Sequence, residues 1–163
     1  MSSRLRCIIL GAPGSGKGTI ANRIVKDFRL KHLSSGDLLR KNIDNKTPIG
    51  LQAKEYVDKG ALLPDDFITK IIVEEIHKID KHDWLLDGFP RTRSQAESLD
   101  ESNIKCEAVI NLNVPFSEIT NRLKHRWIHS KSGRVYNLEY NPPKIAVCIR
   151  LIMFNPFRVA LIS

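Results

Sequence analysis

Lys17 closes a glycine-rich run, Gly11-Ala-Pro-Gly-Ser-Gly-Lys-Gly-Thr19, and that placement is the strongest chemical statement in the sequence. Glycines let successive backbone N–H groups curl around an anion without Cβ clashes, and a lysine at that point brings a mobile cation to the outer phosphates. The pattern is G-x-x-x-x-G-K, which nominates Gly14, Ser15, Gly16, Lys17, Gly18 and Thr19 as phosphate-binding residues. Gly18 stands where most such loops carry Ser or Thr, and Thr19 comes one place later. An ordinary strand-to-helix turn is the alternative reading.

Trp84-Leu-Leu-Asp-Gly-Phe-Pro-Arg91 is the second chemical stretch. Its apolar start reads as a buried parallel strand that Asp87 ends, and open α/β sheets gather ligand groups at such ends. An aspartate there would orient magnesium through water and balance Lys17. Phe89-Pro90 stiffens the turn and aims Arg91, whose planar fork suits phosphate. Gln95 follows four residues on, with an amide that could read a base edge. Taken alone, Asp-Gly is only a turn signal and Gln95 a surface residue.

Two further groups carry basic residues. Ser34-Ser35-Gly36-Asp37-Leu-Leu-Arg40 opens with helix-capping types, which puts Arg40 one turn into a helix. Residues 116–125 read as a helix; Arg122 lies in it and Arg126 follows four positions on, so the two are expected on one helix face. Such residues at a helix C-terminus are also ordinary dipole partners, and Arg40 alone could be a solvated residue behind a cap.

The elements that must hold these groups are legible from periodicity. Residues 5–10 read as a buried strand, and positions 20, 21, 24, 25 and 28 have the spacing of a helix. A short extended piece at 31–33 leads to the helix at 34. Two helical segments follow, broken at Pro48-Ile-Gly50 and at Lys59-Gly60, and the helix of 67–78 turns positions 68, 71, 72 and 76 to the core. Ala108-Val-Ile-Asn-Leu-Asn-Val114 is a fourth strand, stopped by Pro115. Strands alternating with helices predict an α/β fold with a parallel sheet flanked by helices.

Bulk properties agree. The 163 residues suggest one domain with small inserted lobes, and 42% hydrophobic with 27% charged residues is ordinary for a globular protein. The net charge of +8 is spread without a basic run, which favours a local phosphate pocket over a nucleic-acid stripe. Three cysteines, Cys7, Cys106 and Cys148, without a C-x-x-C pair form neither a disulfide framework nor a zinc site, and are read as packing residues. No leader is expected ahead of the first strand, and no stretch is long and charge-free enough to span a bilayer.

The loop with Gly18 in place of Ser or Thr resembles that of the adenylate kinase family of nucleoside monophosphate kinases. Asp-Gly-Phe-Pro-Arg-Thr followed by Gln95 is similar to the family segment that binds AMP. The resemblance implies Ser35, Arg40, Gly88, Phe89, Pro90, Arg91 and Gln95 at the AMP site, with the backbone of Ala61, Leu62 and Leu63 lining the adenine pocket. It implies Arg122 and Arg126 on the donor nucleotide beside the 14–19 loop, with Val135 and Tyr136 flanking it. Lys17, Arg91, Arg122 and Arg126 would be catalytic, and Asp87 would hold Mg2+ through water.

Ser-Ser-Gly-Asp-Leu-Leu-Arg, Ile110-Asn-Leu-Asn-Val-Pro-Phe116 and Arg126-Trp-Ile-His129 resemble the family's long-lid branch of the mitochondrial matrix. The implied reaction is reversible phosphoryl transfer from GTP, with ITP or ATP as alternatives, to AMP. ADP and GDP would be the products. A monomer with no nucleic-acid or membrane partner is implied, with the cytoplasm as the alternative location. The implied architecture is a P-loop NTPase-like sheet with an inserted AMP-binding lobe at about 34–63 and a partial lid at about 126–144.

The resemblance covers 5–144. Residues 145–163 form an apolar tail without Asp or Glu, in which the family's lid completion and last strand are not recognisable. A truncated nucleotide-binding chain with little or no turnover is therefore the alternative function, and a basic nucleic-acid binder a distant third.

Overall fold

The computed structural model describes residues 4–59, 61, 63–129, 135–137, 141–142 and 153–154. The chain divides into two compact units, one made of residues 1–11 and 16–112, the other of 12–15 and 113–163.

The first unit is built on four parallel strands, β1 (Arg6–Gly11), β2 (Lys31–Ser34), β3 (Trp84–Asp87) and β4 (Ala108–Leu112), in the order β2-β3-β1-β4. The apolar run of 5–10 thus becomes an interior strand, as its lack of polar alternation predicts. Side chains alternate across the sheet. Cys7 and Ile9 of β1 pack with Leu85 of β3 and Ala21 on one face, while Ile8, Trp84 and Leu86 pack on the other with Ile72, Ile76 and Phe89. Trp84, Leu85, Leu86 and Phe89 are fully buried. The register places Ser34 beside Asp87 and Ile9 beside Asp87. β2 and β3 therefore finish level, so Ser35 and Gly88 emerge together, while β1 runs two residues further, to Gly11.

Among the described residues of this unit are five helices: α1 (Lys17–Phe28), α2 (Ser35–Asp44), α3 (Pro48–Asp58), α4 (Asp65–Lys78) and α5 (Arg93–Glu101). Ser34 caps α2 by accepting from the Asp37 N–H, and Thr92 caps α5 by accepting from the Gln95 N–H at 3.1 Å. Ile71, Ile72 and Ile76 of α4 are buried, in keeping with the helical period.

One expected break moves. Pro48, Ile49 and Gly50 do not interrupt a helix but begin α3, with Pro48 in its first turn and Thr47 capping it through the Gly50 N–H at 3.0 Å. A proline lacks the N–H that a first turn leaves unpaired anyway, so it starts a helix as readily as it ends one. Gly50 has a separate reason to be there: a Cβ at this position would sit 2.0 Å from the Asn42 carbonyl oxygen, so only glycine lets α3 pass α2 this closely.

In the second unit, α6 (Phe116–Lys124) leads into β5 (Arg126–His129), which pairs antiparallel with β6 (Val135–Asn137) and with β7 (Met153–Phe154). Arg126 is therefore not on the helix face of Arg122, as its spacing suggests. The helix ends at His125, the Asn137 side-chain N–H donates to the Arg122 carbonyl at 3.2 Å, and Arg126 pairs with Asn137 in the ladder. Tertiary pairing of Arg-Trp-Ile-His as a strand overrides the helical register. The described tail residues, Met153 and Phe154, pair with His129 and Ile128 of β5.

Cys7 and Cys106 are free thiols, and burial is the main cause that pushes both upward in pKa. Cys106 donates to the Ala108 carbonyl at 3.1 Å, which suits a packing role. Cys148 lies outside the described residues. No helix among the described residues is long and apolar enough to cross a membrane.

Candidate active site

The glycine-rich run connects β1 to α1, and its residues 12–15 are grouped with the second unit. Gly14 and Gly16 have φ of +86° and +93°. Gly16 is the N-cap of α1, offers no side-chain oxygen to it, and is followed by a first turn without an acidic residue. That helix end carries the positive end of its dipole with nothing built in to neutralise it, as an anion site requires. The Lys17 ammonium is held by the Gly11 carbonyl at 2.6 Å. Thr19 and Ile20 N–H both return to the Gly16 carbonyl, which closes the turn.

At the level ends of β2 and β3, Gly88 follows Asp87 with φ +80°, a conformation that glycine adopts without strain. Its carbonyl accepts from Ser35 Oγ at 2.9 Å and from Arg91 Nε at 2.7 Å. A Cβ on Gly88 would stand 2.8 Å from Ser35 Oγ and 3.2 Å from Arg91 Nη2. Three residues from two separate sequence strings thus meet at one point. Phe89 is buried against the core, so the backbone around this point is anchored. Pro90 follows through a cis peptide bond.

Arg40 is ion-paired with Asp37 one turn earlier in α2. Burial pushes the Asp37 carboxyl up, but hydrogen bonds from Arg40 and Ser34 and the charge of Arg40 outweigh it and hold the carboxyl below its ordinary value. Asp87 is largely buried and its Oδ2 lies 3.7 Å from His32 Nε2.

Gln95 is 6% exposed, and its amide is engaged on both sides. Oε1 accepts from the Arg91 N–H at 2.7 Å, and Nε2 donates to Asp65 Oδ1 at 2.7 Å. The other Asp65 oxygen accepts from Thr92 Oγ1 at 2.6 Å. Neither Asp65 nor Thr92 stands out in the sequence: the Thr92-x-x-Gln95 spacing is a capping signal, but a partner 30 residues away leaves none. Ala61 is exposed, with its N–H on the Tyr56 carbonyl at 2.9 Å, and Leu63 is half-buried; Leu62 lies outside the described residues.

The second unit holds Gly14, Ser15, Arg122, Arg126, Val135 and Tyr136. The Arg122 guanidinium points at the loop, with Nη1 3.3 Å from the Ser15 carbonyl and 3.5 Å from that of Gly14. Leu123 packs so closely that a Cβ on Gly14 would meet it at 3.1 Å. Ser15 Oγ and Arg126 Nε are buried without a hydrogen-bond partner. Buried donors are rarely left so, and anionic oxygens would satisfy both. Burial also lowers the Arg126 pKa. Val135 pairs with Ile128 and Tyr136 with Trp127 in the β5–β6 ladder.

The sequence matches the family model described as Adenylate kinase over residues 9–162. The chain belongs to the adenylate kinase family. The match continues past residue 144, into the apolar tail. The chain is 47% identical over 140 residues to a mitochondrial GTP:AMP phosphotransferase of Drosophila melanogaster, covering 86% of this chain and 64% of that protein. It is 45% identical over 150 residues to an adenylate kinase of Carboxydothermus hydrogenoformans, covering 88% of this chain and 70% of that one. A mitochondrial GTP:AMP phosphotransferase of Saccharomyces cerevisiae is 46% identical over 150 residues, with 86% and 67% covered. The chain thus spans about two thirds of the length of the curated relatives it matches.

Proposed function

We propose that this adenylate kinase family member transfers a phosphoryl group reversibly between a nucleoside triphosphate and AMP. The observation that carries the reading is the Gly88 carbonyl, which ties Ser35 and Arg91 together directly after Asp87. Both residues come from the strings that resemble the family's AMP segments. GTP is the favoured donor, with ITP and ATP as alternatives, and ADP and GDP as products; the fly and yeast relatives, both named GTP:AMP phosphotransferases, support this preference. The same names support a mitochondrial location for this chain, within the matrix by resemblance.

In this reading AMP is held by Ser35, Arg40, Ala61, Leu62, Leu63, Gly88, Phe89, Pro90, Arg91 and Gln95. The donor is held by Gly14, Ser15, Gly16, Lys17, Gly18, Thr19, Arg122, Arg126, Val135 and Tyr136. No side chain acts as nucleophile, because the AMP phosphate oxygen itself attacks in line. Lys17, Arg91, Arg122 and Arg126 neutralise charge on the transferring group and align it, which is where phosphoryl-transfer catalysis resides.

A magnesium ion fits these residues. The described residues contain no cluster of three or more His, Cys, Asp or Glu that would form a protein cage. Magnesium keeps several waters and takes one or two carboxylates plus substrate phosphates, so the single carboxylate Asp87 suits it. Asp87 would hold the ion through water, and the ion would offset charge on the phosphates.

The test is a coupled phosphotransfer assay of the chain with GTP, ITP and ATP against AMP, beside calorimetric titration with AMP. Turnover that needs both nucleotides is expected. Tight AMP binding without turnover would favour a nucleotide-binding chain instead.

A further inference from the structure

We propose that Asp65 is a specificity-determining positioning residue: by fixing which way the Gln95 amide points, it makes the site prefer a 6-amino purine over a 6-oxo purine. The inference rests on the reading that Gln95 faces the base of AMP. The chemistry that motivates it is the ambiguity of an amide. A carboxamide offers a donor and an acceptor side by side, and a half-turn about its last bond exchanges them. Adenine presents an acceptor at N1 next to a donor at N6. A 6-oxo purine presents a donor at N1 next to an acceptor at O6. A freely turning glutamine can therefore match either base, and only one fixed in a single orientation can choose.

Gln95 is fixed from both sides. The Arg91 N–H requires an oxygen, and supplies its bond at 2.7 Å. Asp65 Oδ1 requires an N–H, because a carboxylate can only accept, and takes one from Nε2 at 2.7 Å. Asp65 is itself held by Thr92 Oγ1 at 2.6 Å, and its position at the start of α4 is set by a helix whose next turns are buried. Turning the amide over would face N–H against N–H at Arg91 and oxygen against carboxylate at Asp65. Two bonding positions of the amide are used, leaving one lone pair on Oε1 and one proton on Nε2 in a known order. A site whose polar groups are preset in this way rejects the mismatched base by leaving those groups unpaired.

The experiment titrates the chain with AMP and with inosine monophosphate, which differ only in this edge, by calorimetry. Asp65→Ala is expected to lower the ratio of AMP to inosine monophosphate affinity about five- to tenfold, the scale of one hydrogen bond. Asp65→Asn, which can still turn its oxygen to Gln95 and its nitrogen to the Thr92 hydroxyl, should recover most of the ratio. Thr92→Ala removes the other bond to Asp65 together with the cap on the Gln95 N–H, but both bonds of the Gln95 amide group remain, so the ratio should stay within about twofold. If Thr92→Ala lowers the ratio as much as Asp65→Ala, the role is structural support and the proposal fails. If Gln95→Ala abolishes the preference while Asp65→Ala leaves it intact, the positioning role is wrong and the base-reading role of Gln95 stands. An unchanged preference in Gln95→Ala overturns the base-reading role itself. Should Asp65→Ala not fold, the Gln95 side-chain amide of the unaltered chain gives the answer by NMR. On adding AMP one Nε2 proton should shift and the other, bound to Asp65, should stay; two shifting protons would overturn the proposal.

Discussion

Ser35 and Arg91 donate to the same oxygen, the carbonyl of Gly88, at 2.9 and 2.7 Å. The level ends of β2 and β3 make this possible, since Ser34 and Asp87 are register partners and the next residue of each chain segment emerges beside the other. The shared acceptor holds an arginine whose side chain is otherwise exposed in a definite place before any ligand arrives, and that pre-organisation lowers the ordering cost of binding.

Gly88→Ala should therefore damage AMP binding as well as the fold. The residue sits at φ +80°, and its new Cβ would press on Ser35 Oγ at 2.8 Å. A non-glycine residue forced into this region costs about 1–3 kcal/mol. AMP affinity should fall about tenfold or more by calorimetry while the thermal midpoint drops only a few degrees. Unchanged AMP affinity would mean that Ser35 and Arg91 do not act through this corner.

Lys17→Met should lower turnover about 10²–10³-fold with little change in AMP affinity, since it removes charge from the transferring phosphates and nothing from the acceptor. Steady-state kinetics and AMP calorimetry separate the two. Loss of AMP binding with turnover intact per bound AMP would contradict the assignment.

The pairing of Arg40 with Asp37 carries a sign that can be checked. Asp37 titrates below its ordinary value in the folded chain. A depressed carboxyl stabilises the fold above its unfolded pKa and loses that stabilisation as pH falls through the folded pKa. At neutral pH the Asp37 carboxyl is thus ionised, and in the proposed site an AMP phosphate would compete with it for Arg40. Asp37→Asn should strengthen AMP binding about two- to fivefold, in line with an exposed pair of modest strength. Weaker binding in Asp37→Asn would remove Arg40 from the proposed phosphate site or give Asp37 a direct role.

Gly50→Ala should be among the most destabilising single substitutions in the α2–α3 pair. Its Cβ would lie 2.0 Å from a backbone oxygen that cannot swing aside. Overpacking against backbone costs about 1–3 kcal/mol or more. Denaturant unfolding of the variant measures this, and a midpoint equal to that of the parent would show that the crossing of the two helices is not tight.

Much of this arrangement was legible beforehand for a physical reason. The strand, turn and helix around Lys17 and the Asp87-to-Gln95 string are local, so their period, caps and turn chemistry lie within a few residues of one another. The core face of α4 was legible in the same way. What stayed hidden depends on distant partners. Arg126 leaves the helix face of Arg122 because Asn137 and its strand claim it. Gly50 reads as a breaker until Asn42 is beside it. Gln95 reads as a free amide until Asp65, thirty positions earlier, is found to bind it. Patterning within one element cannot report such pairs.

The central claim is that AMP is the phosphoryl acceptor. The most direct measurement incubates the chain with γ-labelled GTP and AMP and follows where the label goes. The account predicts label on the β-phosphate of ADP, formed only when AMP is present and reduced about 10²-fold or more in Lys17→Met. Label released as inorganic phosphate at the same rate without AMP, or no transfer from GTP, ITP or ATP while AMP binds, would contradict it.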